Sequence, residues 1–397
     1  MGGIQMTAMI FSSILFMMAI VTPIVVMRLL ARHFLGRLRL DEESEERRVA
    51  IYRFERLGGV ILFFQGLLPG IIIATLSDRS WILLQTLKVH DLLCGYLVEN
   101  EASPAIVSSA GFIFWFGLIM AYNVFTVRYM SKQLRLAKTG SLAPSSTRCT
   151  KKITFLCILP VIILLMIPVS MLFIDGFVLP LVSALAYILS ILFLPAAFQW
   201  VMKACPVNKM TEYAGNISGA PELAERMGIR LPKLFVFPTG GDPIANAFIL
   251  GLIPQQRHIY LSDRLFFQLS KEEFEAVIAH ELAHAKHGDL WINTLTVPVF
   301  LVALLTMDQW VLPDPWQTVV PALLILGIIP LLYYLQRRRE ERADLCAVRA
   351  TANPDAFISA FTKMTESSQL PKKWSRADIL ITHPDLAKRI RVIKGSF

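Results

Sequence analysis

Charge is what this sequence has least of. Asp, Glu, Lys and Arg make up 17% of its 397 residues, against 55% hydrophobic. A soluble domain carries about 25% charged residues, so an ordinary water-facing globule is excluded. Cysteine is also scarce. The five present, Cys94, Cys149, Cys157, Cys205 and Cys346, form no C-x-x-C pair and read as free thiols, several in or near lipid. The N-terminus lacks a basic stretch before its first apolar run and an obvious small-residue cleavage site. That run therefore reads as a retained span. Acidic residues are outnumbered 30 to 39, for a net charge of +9. The excess clusters beside apolar runs, which points to orientation in a lipid bilayer rather than to a nucleic-acid partner.

The apolar runs are long. Segments near 7–27, 58–76, 104–127, 153–173, 177–201, 291–307 and 318–335 are each close to the ~20 residues that cross a hydrocarbon core. The connections after the first, third, fifth and seventh runs are basic, and those between are acidic or neutral. The positive-inside rule then puts the N-terminus outside, and residues 203–289 and the C-terminal part on the cytoplasmic side of a cell membrane. The expected fold is mainly α, a multi-pass membrane protein of about seven helices with a small α+β domain. Its parts are a five-span region (1–202), a water-facing domain (203–289), a two-span hairpin (290–336) and a C-terminal part (337–397). In the water-facing domain PELAERMG reads as a short helix, and LFVF, NAFILGLI and HIYLS as strands.

The chemistry is concentrated at His280-Glu281-Leu282-Ala283-His284. Residues four apart share a helix face, so His280 and His284 can offer imidazoles to one ion. Glu281 sits about 100° round from His280, where it can serve as general base to a water. Phe274, Val277, Ile278, Leu282 and Ala285 recur at helical spacing. Ser270 with Glu273 makes a capping box, and Gly288 offers a stop.

A third ligand must come from elsewhere. His287 shares the helix face, but ligands at 280, 284 and 287 would extend over about 10 Å of one straight helix. A metzincin would need a ligand at position 290, which is Leu290. The better candidate is Glu340, with Asp344 four residues on to orient a ligand histidine. Two spans separate His284 from Glu340, so the chain returns to the side it left. If helical, the offsets from the adjoining spans are about 7–10 Å, which sets the site at the membrane face.

Together these residues resemble the membrane-bound gluzincins that include HtpX and the eukaryotic CaaX prenyl endopeptidase. The resemblance covers about residues 203–395. It rests on His280-Glu281-Leu282-Ala283-His284, on Glu340 with Ala343-Asp344 as an E-x-x-A-D motif, on Asn246-Ala247-Phe248 with Gly251 as N-A-F-x-x-G, and on Thr382-His383-Pro384 with Arg389-Ile390. It implies one Zn²⁺ per chain held by His280, His284 and Glu340, with Glu281 as the catalytic base. It also implies His383 and Arg389 near the active site, steadying the tail or a developing oxyanion. Asn246, Ala247 and Phe248 would form an edge strand that docks an extended substrate. The activity implied is peptide-bond hydrolysis of membrane or membrane-associated proteins, in membrane-protein quality control. Dedicated processing of a lipidated or prenylated peptide, or a protease-domain sensor, would use the same residues.

Overall fold

Apolar residues two apart in the three longer strands decide this architecture, because they give its sheet two greasy faces that must both be covered. The structure, a computed structural model, describes residues 25–36, 46–54, 57–58, 61, 125–126, 128–130, 132–133, 178–209, 213, 215–240, 245–306, 316–368 and 386–396. The chain divides into two compact units, Met1–Ala143 with Ile163–Leu185, and Pro144–Ile162 with Ala186–Phe397. In the first, Met27, Ala31 and Phe54 are buried together, with Tyr129 and Met130 packed against them. The runs near 7–27, 58–76, 104–127 and 153–173 lie largely or wholly outside the described residues.

The second unit holds the candidate chemistry. Its elements are α1 from Ala186 on (the whole helix is Val178–Met202), β1 (Cys205–Pro206), α2 (Ala220–Arg226), β2 (Lys233–Phe237), β3 (Ala247–Leu250), β4 (His258–Ser262), α3 (Asp263–Gln268) and α4 (Lys271–Lys286). There follow α5 (Asp289–Thr306), α6 (Trp316–Thr351), α7 (Pro354–Ser367) and α8 (Leu386–Ser396). The strands form one sheet in the order β1-β2-β4-β3. β2 pairs parallel with β4, while β1 on β2 and β3 on β4 are antiparallel. β3 is therefore an edge strand among the described residues. The β3–β4 turn needs glycine: Gly251 has φ +108°, and a Cβ there would lie 2.2 Å from the Gln256 carbonyl oxygen.

Alternation along the strands assigns the two faces. Leu234, Val236, Ala247, Ile259 and Leu261 join the core under α4, with Phe274, Ile278 and Leu282. Those three α4 side chains are fully buried, and each such burial contributes about 1.5–3 kcal/mol. Phe235, Phe237 and Tyr260 face the other way, onto Phe198 and Met202 of α1, with Phe248 beside them. Tyr260 is tied to α1 twice. Its hydroxyl donates to the Pro195 carbonyl at 3.0 Å and accepts from Gln199 Nε2 at 3.0 Å. Burial pushes this phenol up to about 12, Gln199 offsetting part of the rise.

α1 is the one helix among the described residues long and apolar enough to cross a membrane, over Leu185–Met202. Only 22% of that stretch is buried, so it is not a core helix: Leu185, Ile188, Phe193 and Trp200 are exposed. α5 shows the same pattern at Trp291, Ile292, Leu295 and Val299, and α6 at Leu324, Leu331, Tyr334 and Leu335. The expected seventh run and the expected third ligand share one 36-residue helix, α6. The polar segment after residue 335 is thus a rigid extension of the apolar one.

Candidate metal centre

Ser270 starts the helix that carries the motif. Its side chain accepts from Glu273 N at 3.3 Å, while Glu273 Oε2 accepts from Ser270 N at 2.8 Å. This capping box satisfies two of the N–H groups a helix start leaves open. Glu273 also accepts from Ser359 Oγ at 2.5 Å and Lys363 Nζ at 2.8 Å, which fastens α4 to α7. Burial pushes the Glu273 carboxyl up, but Lys363, Ser359 and Ser270 together hold it below the usual range. At the far end Gly288, at φ +71°, turns the chain into α5. His287 Nδ1 donates to the Ala283 carbonyl, 2.7 Å away, and takes no part in the ligand group.

α4 and α6 pack together and bring His280, His284 and Glu340 into one cluster, their donor atoms within 4.8 Å of one another. His280 Nε2 stands 3.2 Å from His284 Nε2 and 3.5 Å from Glu340 Oε2, and His284 Nε2 is 3.6 Å from Glu340 Oε1. Nitrogen and oxygen ligands about 2.0–2.1 Å from a tetrahedral ion stand about 3.3–3.4 Å apart. The donor set and its spacing fit Zn²⁺. Glu281 is buried at the same place, 7% exposed.

Each histidine has its own carboxylate behind it. His280 Nδ1 lies 2.9 Å from Asp344 Oδ1, an ion-pair contact off the line of a straight hydrogen bond. His284 Nδ1 lies 2.9 Å from Asp289 Oδ2. An Nδ1–H turned to a carboxylate leaves the Nε2 lone pair for the ion. Each carboxylate in turn holds an arginine. Arg389 donates to both oxygens of Asp344, at 2.7 and 2.5 Å, and lies over the Phe361 ring at 4.0 Å. Arg342 donates once to Asp289, at 2.5 Å.

The electrostatics favour positive charge at His280. Burial pushes the His280 imidazolium down, but Asp344 and Glu340 outweigh it and lift it to about 9. Burial likewise raises the Asp344 carboxyl, and Arg389 and His280 more than reverse this, leaving it below the usual range.

Residues 218–396 match the family model for Peptidase family M48. The matched stretch contains both histidines, Glu281, Glu340, Asp289, Asp344 and Arg389, and Asn246–Phe248 of the edge strand as well. A protease HtpX homolog of Listeria monocytogenes serotype 4a (strain HCC23) is 24% identical over 268 residues, 56% of this chain and 87% of that protein. One from Streptococcus pyogenes serotype M3 (strain SSI-1) is 27% identical over 261 residues, 55% and 86% respectively. The crystal structure of S. mikatae Ste24p shares the fold, with a TM-score of 0.56 at 14% identity over 96% of this chain and 98% of that one.

The sequence-expected residues thus divide. His280, His284, Glu340 and Asp344 come together, Arg389 joins them through Asp344, and His383 lies outside the described residues. Ala247 and Phe248 are in the edge strand, and Asn246 precedes it, its N–H donating to Ser262 Oγ at 3.1 Å. Asp289 and Arg342 were not anticipated. An acid directly after the Gly288 stop was the available signal, since a helix-ending turn can bring it back beside His284.

Proposed function

We propose that the chain is an integral-membrane zinc-dependent endopeptidase of the gluzincin type. It hydrolyses peptide bonds of membrane or membrane-associated proteins and works in membrane-protein quality control. The observation that carries this reading is the convergence of the His280, His284 and Glu340 donor atoms within 4.8 Å of one another, with Glu281 buried beside them. The exposed apolar flanks of α1, α5 and α6 support membrane embedding. The charge pattern of the connections supports a cytoplasmic-side active site with the N-terminus outside.

His280, His284 and Glu340 would hold the ion, which when bound supplies a Lewis acid that lowers the pKa of a water towards ~7 and polarises the scissile carbonyl. Glu281 accepts the proton of the attacking water and returns it to the leaving amine. Asp344 and Asp289 hold the two imidazoles in the ligating tautomer and orientation. Arg389 fixes Asp344 and anchors α8 to the site. By the resemblance, His383, outside the described residues, would steady the tail or the developing oxyanion. The edge strand β3 offers its open backbone to an extended substrate, so that Asn246, Ala247 and Phe248 read it by β-addition.

The full chain, purified and reconstituted, tests this with a fluorogenic membrane peptide. Glu281→Gln should lose about 10²–10⁴-fold in rate, the range of general-base catalysis, and keep its zinc. Cleavage at the parent rate would refute the mechanism. The same variant, used to trap bound proteins for mass spectrometry, tests the role. Quality control predicts many unrelated membrane proteins, and a single lipidated peptide would contradict it.

A further inference from the structure

A cleft at the C-terminal end of α4 touches the metal centre through Arg342 and holds other charged groups that the proposed chemistry does not use. It has a volume of about 790 Å³ and is walled by the ends of α2 and α4, one face of α6, and α8. Five cations line it, Arg226, Lys286, Arg338, Arg342 and Arg349, against one acid, Glu341. Arg342 is paired with Asp289, and Arg338 reaches Glu341 and the Tyr334 hydroxyl. Arg226, Lys286 and Arg349 are exposed and have no ion-pair partner among the described residues. Each sits in the last turn of its helix, a position that the helix dipole favours. That accounts for each one singly, but not for three of them converging on one cavity.

The α6 face shows what the cleft adjoins. Leu324, Leu331, Arg338 and Leu345 follow one another at sevens, as do Leu335, Arg342 and Arg349. Seven residues are nearly two helical turns, with a drift of about 20°. One face of a single helix therefore passes from exposed Leu324, Leu331 and Leu335 straight into the cationic cleft. The step from Leu335 to Arg338 is only about 4.5 Å along the axis. Tyr334 lies at the junction, exposed, with Arg338 stacked 5.5 Å from its ring centre. An apolar stripe for acyl chains leading into a pocket for negative charge is the pattern of an amphiphile with an anionic head.

We propose that this cleft binds the phosphate headgroup of an anionic phospholipid whose chains lie along the exposed apolar face of α6. The inference rests on membrane embedding but not on the peptidase reading. A zinc-loaded, active protein with no lipid preference would sink the first and leave the second.

The test uses the full chain in detergent, with retained lipid counted by native mass spectrometry. Phosphatidylglycerol, phosphatidylcholine and inorganic phosphate are the probes. The parent should retain phosphatidylglycerol over phosphatidylcholine by at least about tenfold, from about fivefold per uncompensated cation near an anionic lipid. The combined Arg226→Gln, Lys286→Gln and Arg349→Gln variant should bring that ratio close to unity. Glu341→Gln should raise it, an opposite sign that general unfolding does not produce. Equal retention of the two lipids by the parent, or the parent ratio in the combined variant, would overturn the site. Displacement of phosphatidylglycerol by millimolar inorganic phosphate would overturn the lipid assignment in favour of a free anion, and persistence of the lipid supports it.

Discussion

The two histidine arms of the metal centre are built from the same parts and sealed differently. Both run imidazole to carboxylate to guanidinium. In the His280 arm Asp344 and Arg389 have side chains 2% and 10% exposed, the pairing is two-pronged, and Phe361 covers the arginine. In the His284 arm Asp289 is as buried, but Arg342 is 44% exposed and donates a single bond. A buried charge needs its partner, whereas a half-exposed one has water as an alternative. The inner arm should therefore carry fold and metal together, and the outer arm mainly metal.

The largest expected difference comes from the carboxylates. Asp344→Asn leaves Arg389 buried without a counter-charge, a loss of about 3–5 kcal/mol. It also weakens zinc binding about 10–100-fold. Asp289→Asn should weaken zinc similarly but leave stability nearly unchanged, because Arg342 turns to water. Thermal unfolding in detergent and chelator competition check both. Equal destabilisation by the two variants would break the comparison.

The arginines sharpen it. Arg389→Lys cannot keep both the fork and the ring stack and should lose about 1.5–3 kcal/mol, the range for a charged hydrogen bond. Arg342→Lys should lose under about 1 kcal/mol and become salt-dependent. Denaturant titrations at low and high ionic strength read both.

The smallest effect belongs to a third buried carboxylate, away from the ion. Glu273 is held below its ordinary range in the fold by Lys363, Ser359 and Ser270 despite burial. Its contribution is fully present above the unfolded value of about 4.3 and lost as pH falls through the lower folded value. The stability gap between parent and Glu273→Gln should close on acidification in that window. A gap that persists below it would mean that packing, not the carboxylate, joins α4 to α7.

Local rules made much of this centre legible. The i, i+4 spacing placed His280 beside His284, the capping box placed the start of α4, and the Glu340–Asp344 spacing marked the helix that supplies the third candidate ligand. The rest depends on tertiary contacts. β1 is two residues long and the parallel β2–β4 register joins strands separated by β3, and neither leaves a periodic trace. Asp289 lies past a helix stop, and only the Gly288 turn folds it back to His284. Arg389 is separated from Asp344 by 45 residues. Composition alone could not say that Phe361, one apolar residue of an ordinary amphipathic helix, would roof that pair.

Zinc content tests the central claim most directly. Metal analysis of the purified full chain and of Glu340→Ala, prepared side by side, should give about one zinc per chain in the parent and close to none in the variant. Full occupancy in Glu340→Ala would contradict the assignment of α6 as the source of the third ligand.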